Sequence, residues 1–392
     1  MNRGIKILAV FFLAVWLWGT GTVCCYGSTE KSQDKEQSTD QTDPEAAEGM
    51  LEEIEFGEIQ KMVDELLGEQ SFSLKEAVIN MINGEEPISK EAVRGVLYSF
   101  FFSELENEKT LFFRLLLLVL LAAVLAGFVD VFENGQIGAV SFYVVYLVLF
   151  MMLMEAFGRL SSTLTVRLNW LGEFMKTLAP AYFLAVSTAN GVSTAAVFYE
   201  GVLLLVWMIQ WVLVNFLLPG VNLCILLKMV NYLSKEEMLS KMSELLEVVI
   251  SWALKTLIGL AVGLQVVKNL VAPVMDSLKR TAVGKTAGAI PGIGNAVNAI
   301  TQLILTSAVL VRNSFGAVIL VLIAAAGLQP LIHYGALSLS YRFLAALAQP
   351  VSDKRIVGAL STMGEGCAWL LKLLLTAQIL CMLAFLVLMA GG

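Results

Sequence analysis

Histidine is nearly absent from this sequence, and its cysteines are few and scattered. The 392 residues include one histidine, His333, and five cysteines, at positions 24, 25, 224, 367 and 381. Metal sites need several ligands at short, regular spacings, and secreted disulfide frameworks have recognisable cysteine patterns. No Ser/His/Asp set or carboxylate dyad is evident either. Gly284-Lys285-Thr286 resembles the end of a phosphate-binding loop, but Lys279 stands where that loop needs a glycine. The sequence therefore predicts no enzyme, no metal site and no cofactor.

Charged residues are also scarce. They make up 15% of the chain, against 57% hydrophobic residues, and the mean hydropathy is +0.76. Several apolar stretches reach the roughly 20 residues that cross a bilayer as a helix. We therefore predict an all-α, polytopic membrane protein with six to eight spans. The candidate spans, of which the third is short enough to be re-entrant, are residues 111–129, 137–157, 178–189, 194–218, 245–267, 301–328, 330–348 and 367–390. Residues 219–231 form a further short apolar piece, which is expected to be half-inserted.

The few charges divide the chain into unlike parts. Residues 28–110 hold 21 acidic and 7 basic side chains, a balance of −14, whereas residues 111–392 hold 12 and 17, a balance of +5. Residues 1–27 have the basic start, apolar core and small residues of a signal peptide, although an uncleaved anchor is an alternative. We predict a disordered acidic tether at 28–48, an extracytoplasmic helical head at 49–110 and a multispan membrane domain at 111–392.

Helical periodicity defines the head. Apolar residues recur at helical spacing between residues 51 and 66, and Ser73 and Glu76 have the spacing of a capping box ahead of a second helix. A third helix is predicted after Pro87. A head of about 55 residues is marginal for folding alone. It is therefore expected to lean on the membrane, another copy or a partner.

Basic residues predict the orientation. A loop after residue 267 with four basic residues, and a loop after residue 348 with two, are separated by two predicted spans, so both are expected in the cytoplasm. Counting back places the head outside, as the leader requires. A third basic loop at 158–176, with Arg159, Arg167 and Lys176, would then face outward. Either that stretch is an amphipathic interfacial segment or a nearby span is misassigned.

Six charged residues lie within or near the predicted spans, where charges are expensive and therefore face protein or water. Arg312 lies deepest and is predicted to face a cavity. Glu247 and Lys255 fall on roughly one face of their span with Ser251 between them, and either paired structural charges or a conducting role would explain them. The other three are Glu155, Glu200 and Lys372.

Residues 282–298 form the most distinctive stretch. Glycine, proline and asparagine break the apolar pattern there, and such a segment cannot face lipid as regular helix without other protein around it. Glycines at 284, 288 and 292, like Gly259 and Gly263, have the four-residue spacing that lets helix backbones approach closely. The block is predicted to line a pore or to pack closely; its candidate residues are Gly284, Gly288, Pro291, Gly292, Gly294 and Asn295.

With this block, the leader, the acidic head and the multispan body, the chain resembles the stage III sporulation protein AE family of endospore-forming bacteria. The resemblance implies a component of the secretion-like channel between mother cell and forespore, in the mother-cell (outer forespore) membrane. It implies as partners a cytoplasmic ATPase, ring-forming proteins of the intermembrane space and a forespore-side protein. It supplies no catalytic residues. We expect an oligomeric channel subunit; the alternative is an independent secondary transporter, although no convincing inverted repeat is found.

Overall fold

The computed structural model describes most of the apolar body and two helices of the acidic head. The described residues are 51, 56–67, 73–83, 113, 116–117, 120, 124, 135–190, 192–233, 239–286, 294–350 and 352–390. Within these residues the regular structure is helical and no strand occurs, which confirms the all-α prediction. The leader, the tether and the predicted third head helix lie outside the described residues.

The described helices include five stretches that are long and apolar enough to cross a membrane. In chain order the helices are α1 Gly57–Leu67, α2 Leu74–Ile82, α3 Gly135–Asn190, α4 Val192–Val212, α5 Leu218–Asn231, α6 Ser240–Thr286, α7 Gly294–Ala348 and α8 Lys354–Ala390. The chain is thus a multi-pass membrane protein. The count of six to eight spans stays a prediction, because most of residues 111–134 lies outside the described part. The five stretches are Tyr143–Leu184, Leu203–Asn231, Ser240–Gly263, Thr306–Ala348 and Lys354–Leu386.

The predicted loop at 158–176 is wrong, because this segment is the middle of α3. Leu160, Leu164 and Leu168 recur at four-residue spacing and are all buried. Residues four apart lie on one side of a helix, so the segment keeps a continuous apolar face while its charges occupy the other side. The charges interrupt the apolar run without interrupting the helix. The spans predicted on either side of this segment therefore belong to one helix.

A proline also lies within a helical run that continues from residue 192 to residue 231. Pro219 was expected to begin a separate half-inserted piece, but it follows a π-helical turn, Leu213–Leu217, that joins α4 to α5. Proline removes one backbone donor, and a wider turn accommodates the changed hydrogen bonding. The Asn215 amide donates to the Trp211 carbonyl at 3.1 Å, so a side chain satisfies a carbonyl beside the π turn.

The basic loops no longer determine the orientation. Pro330 lies inside α7, so the spans predicted at 301–328 and 330–348 form one helix. Helix α6 continues through Thr286, where a loop was predicted after residue 267. One helix, and not two, therefore separates the two basic regions. That the head is extracytoplasmic stays a prediction, which now depends on the leader alone.

Helix α8 occupies the centre of the bundle. It packs against α3, α4, α5, α6 and α7. In its most apolar stretch 61% of the residues are buried, against 17% in the corresponding stretch of α6. Helix α6 instead exposes large apolar side chains, among them Val248 and Trp252. Side chains of this kind suit contact with lipid or with another subunit.

Helices α1 and α2 pack on the membrane body. Ser73 caps α2 by accepting from the Glu76 amide at 3.3 Å, as its spacing predicts. Helix α2 contacts α7, α1 contacts α3, and the Phe56 ring meets the Phe315 ring edge-on at 5.4 Å. The apolar faces of both helices join the core of the body. Helices α1 and α2 thus share an apolar core with the membrane body, and a separate head over residues 49–110 stays a prediction.

Candidate functional site

Three charged side chains from three helices meet within the bundle. Nζ of Lys228, on α5, lies 2.5 Å from Oε1 of Glu247 on α6 and 2.9 Å from Oε2 of Glu365 on α8. The exposed fractions of the three side chains are 21%, 29% and 42% respectively. All three residues lie inside candidate membrane spans. We call Lys228, Glu247 and Glu365 the charged triad.

The triad stabilises charges that would be costly alone. A single charged side chain at the centre of a bilayer costs roughly 3 kcal/mol on insertion scales. Lys228 offsets part of this cost for two carboxylates at once, and the triad keeps a formal charge of −1. Removing the lysine would leave two carboxylates close together without their counter-ion, which is the most unfavourable way to break such a group. The triad can therefore fix the positions of α5, α6 and α8 relative to one another.

Two glycines allow α8 to bring Glu365 into this position. A Cβ added at Gly366 would lie 2.7 Å from Cε2 of Phe157 and 3.2 Å from Cγ1 of Ile225. A Cβ at Gly364 would lie 3.1 Å from the carbonyl oxygen of Ser338. Glycine on both sides of Glu365 thus lets α8 approach α3, α5 and α7 more closely than a larger residue would permit.

Hydrogen bonds between helices surround the triad. The Tyr146 hydroxyl donates to the Met229 carbonyl at 2.6 Å and connects α3 to α5. The Ser338 hydroxyl donates to the Gly364 carbonyl at 2.8 Å and connects α7 to α8. Bonds of this kind are worth about 1 kcal/mol each between membrane helices. Together with the triad they form a polar node that joins five of the helices.

The structure separates the two residues of the predicted polar stripe. Glu247 belongs to the triad, whereas Lys255 is exposed farther along α6 and forms no ion pair within the described residues. Arg312 directs its Nε and Nη2 to Oδ1 of the adjacent Asn313, at 3.3 and 3.2 Å. It lies one turn before Phe315, where the head packs. Whether Arg312 faces a cavity stays a prediction.

The glycine block joins two helices. Gly284 lies in the last turn of α6, and Gly294 and Asn295 begin α7. The positions 288, 291 and 292, which are Gly288, Pro291 and Gly292, fall outside the described residues, and the pore or packing role of the block stays a prediction. An added Cβ at Gly259 or Gly263 would meet nothing within 4 Å, so the described part of this chain does not pack closely on that pair.

Lys228 and Glu365 are missing from the sequence-based candidates. Lys228 lies in the piece that was interpreted as half-inserted, and Glu365 lies just before the predicted last span. The sequence carries one signal for Glu365, because a charge flanked by two glycines inside an apolar run is unusual for lipid-facing helix. Within the described residues, no cluster of three His, Cys, Asp or Glu side chains could hold a metal ion.

Comparison with known proteins shows the family to which this chain belongs. Residues 72–392 match the family model of stage III sporulation protein AE, a range that holds all five candidate spans and the charged triad. The stage III sporulation protein AE of Bacillus subtilis (strain 168) is 22% identical over 368 residues, covering 93% of this chain and 92% of the relative. None of the solved structures matches the chain. This multi-pass membrane protein therefore belongs to the stage III sporulation protein AE family and is a sporulation protein.

Proposed function

We propose that this chain is a membrane-embedded subunit of the secretion-like channel between mother cell and forespore. Its place is the mother-cell (outer forespore) membrane. The observation that carries the proposal is the family match over residues 72–392, a region that holds five helices able to cross a membrane. The charged triad supports a structural or conducting role, because its groups bind one another across three helices. The subunit is not an enzyme in this proposal.

The proposed partners are a cytoplasmic ATPase, ring-forming proteins of the intermembrane space, a forespore-side protein and further copies of this chain. The leader directs the head to the intermembrane space. Its acidic composition suits a region that does not bind anionic lipid. The exposed apolar face of α6 offers a surface for lipid or for another membrane subunit.

Compartment-specific complementation tests the proposal. The gene is deleted and then expressed, with an epitope tag, from a promoter active in the mother cell alone or in the forespore alone. Mother-cell expression is expected to restore heat-resistant spores and late forespore gene expression, because the subunit acts from the outer membrane. Forespore expression at a matched protein level is expected to restore neither. Equal rescue from the forespore would contradict the proposed location.

A further inference from the structure

One side of α3 between residues 155 and 176 is polar and exposed. We call it the polar face of α3; it comprises Glu155, Arg159, Ser162, Thr163, Asn169, Glu173 and Lys176, all exposed. Val166 lies among them and is the one large apolar side chain exposed on this side of the segment. The opposite side of the same segment is apolar and buried, with Phe157, Leu160, Leu164, Leu168, Leu171 and Phe174. The two sides alternate at helical spacing, so the segment is amphipathic over about six turns.

The middle of the polar face, residues 157–169, lies at the depth of the span Leu203–Asn231. At one level the Gln210 side chain, on α4, donates to Oδ1 of Asn169 at 3.2 Å. At the other level Phe157 packs beside Ile225 of α5, both against Gly366 of α8. Gln210 and Ile225 lie on either side of the middle of the span Leu203–Asn231. A helix that contacts both levels runs alongside this span and does not lie flat on the membrane surface.

Lipid does not suit the polar face. Two ion pairs on this face are exposed. The Arg159 guanidinium lies 3.4 Å from the Glu155 carboxylate, with both side chains 70% exposed, and the Lys176 ammonium lies 2.7 Å from the Glu173 carboxylate. Charged and hydroxyl groups at membrane depth face water or protein. The carboxylates are already paired within α3, so they need no neighbouring chain for neutralisation. On α4 at this depth, by contrast, the exposed side chains of Leu204 and Trp207 are apolar.

We propose that the polar face of α3 borders a water-filled passage through the membrane. The inference rests on the proposed function, since other subunits or copies must close the passage around this face. Two carboxylates and, with the neighbouring Arg167, three cations give the segment a formal charge of +1. Because charges of both signs are distributed along the helix, the wall suits small polar solutes of either charge and does not form a selective ring.

Cysteine accessibility in membranes from sporulating cells tests this inference with the partner subunits present. In a variant whose five native cysteines are replaced and that still forms spores, single cysteines are placed at Ser162 and Val166, on the polar side of α3. Matched controls are Leu164→Cys and Leu168→Cys on the buried side of the same helix, and Leu204→Cys on the apolar surface of α4. The probe is a charged methanethiosulfonate, and labelling by a membrane-permeant maleimide is measured in parallel.

Thiosulfonates react with the ionised thiolate, which forms in contact with water. We expect the charged probe to modify Ser162→Cys and Val166→Cys at least about tenfold faster than the three control positions. Equal rates at Ser162→Cys and Leu204→Cys would overturn the inference in favour of lipid contact. Protection of both polar-side cysteines from both reagents would overturn it in favour of a covering protein.

The result is distinguishable from failure of the proposed function. If partners co-purify with the chain but the polar side is not labelled, the passage is wrong and the channel assignment stands. The chain could instead have no partners and be dispensable for sporulation, while its polar side is still labelled. In that case the proposal of a channel subunit is wrong, but the polar face of α3 does contact water.

Discussion

At the charged triad, the ammonium group of Lys228 pairs with two carboxylates, those of Glu247 and Glu365, from different helices. We predict that Lys228→Met lowers the free energy of unfolding by about 2 kcal/mol, less than the 3–5 kcal/mol of a fully buried pair because the three side chains are partly exposed. The measurement is the midpoint of thermal unfolding in mild detergent, followed with a maleimide dye that becomes fluorescent on binding thiols. Cys224, Cys367 and Cys381 are buried and therefore report unfolding.

The matched control is Lys255→Met, which removes the same side chain from an exposed position of α6 and is expected to leave the midpoint unchanged. Combining Lys228→Met with Glu247→Gln and Glu365→Gln should recover much of the loss, because no charge is then left without a partner. Equal midpoints for Lys228→Met and the parent protein would show that the triad contributes nothing to stability.

Sequence reasoning finds one member of the triad and misses its partners for a physical reason. Glu247 stands out because a charge inside an apolar run is costly wherever it points. Lys228 and Glu365 are 137 residues apart, and helical periodicity shows which side of a helix is polar without showing which helix it faces. Only the folded bundle shows which helices are in contact.

Among the helices, the contact of α8 with α3 and α5 is expected to be the least tolerant of added volume. Gly366→Val would press a side chain against the buried Phe157 and should destabilise the fold by about 2 kcal/mol, as overpacking does. Gly259→Val in α6 is the matched control, because it makes the same change in helix propensity at a site with open space. Similar unfolding midpoints for the two variants would contradict the close packing at Gly366.

The connection between α6 and α7 is expected to be sensitive as well. In the predicted pore or packing role, glycine there would supply either close backbone approach or a strained conformation, and a larger side chain would prevent both. Gly288→Leu and Gly292→Leu should reduce spore yield and co-purification of partner subunits far more than Leu303→Ala, at matched expression. Wild-type yield and intact complexes for both leucine variants would identify the block as a tolerant linker.

The helices themselves are largely predictable, but their ends are not. Apolar periodicity locates every membrane-length helix of the described residues. It fails where charges or proline interrupt the run, because α3 carries its charges on one exposed side, a π turn precedes Pro219, and α7 continues through Pro330. Each of these features changes the surface or the local hydrogen bonding of a helix without ending it.

For the whole molecule, the leader predicts that the acidic head lies in the intermembrane space. A cysteine introduced at Ser38, in a background lacking the native cysteines, should react with an impermeant thiol reagent from the external face. An internal cysteine at a position exposed only after permeabilisation serves as the control. If Ser38→Cys is protected until the membrane is permeabilised, the orientation is reversed.

In the proposed function, this chain works as one subunit of a membrane assembly. Size-resolved purification of the tagged full chain from sporulating cells, in mild detergent, tests it most directly. We predict a particle much larger than the 42.7 kDa chain, containing further copies or the partner proteins. The Lys228→Met variant should yield less of it at matched expression. A monomer without partners, which carries out substrate-coupled uptake after reconstitution into vesicles, would contradict the claim and identify an independent transporter.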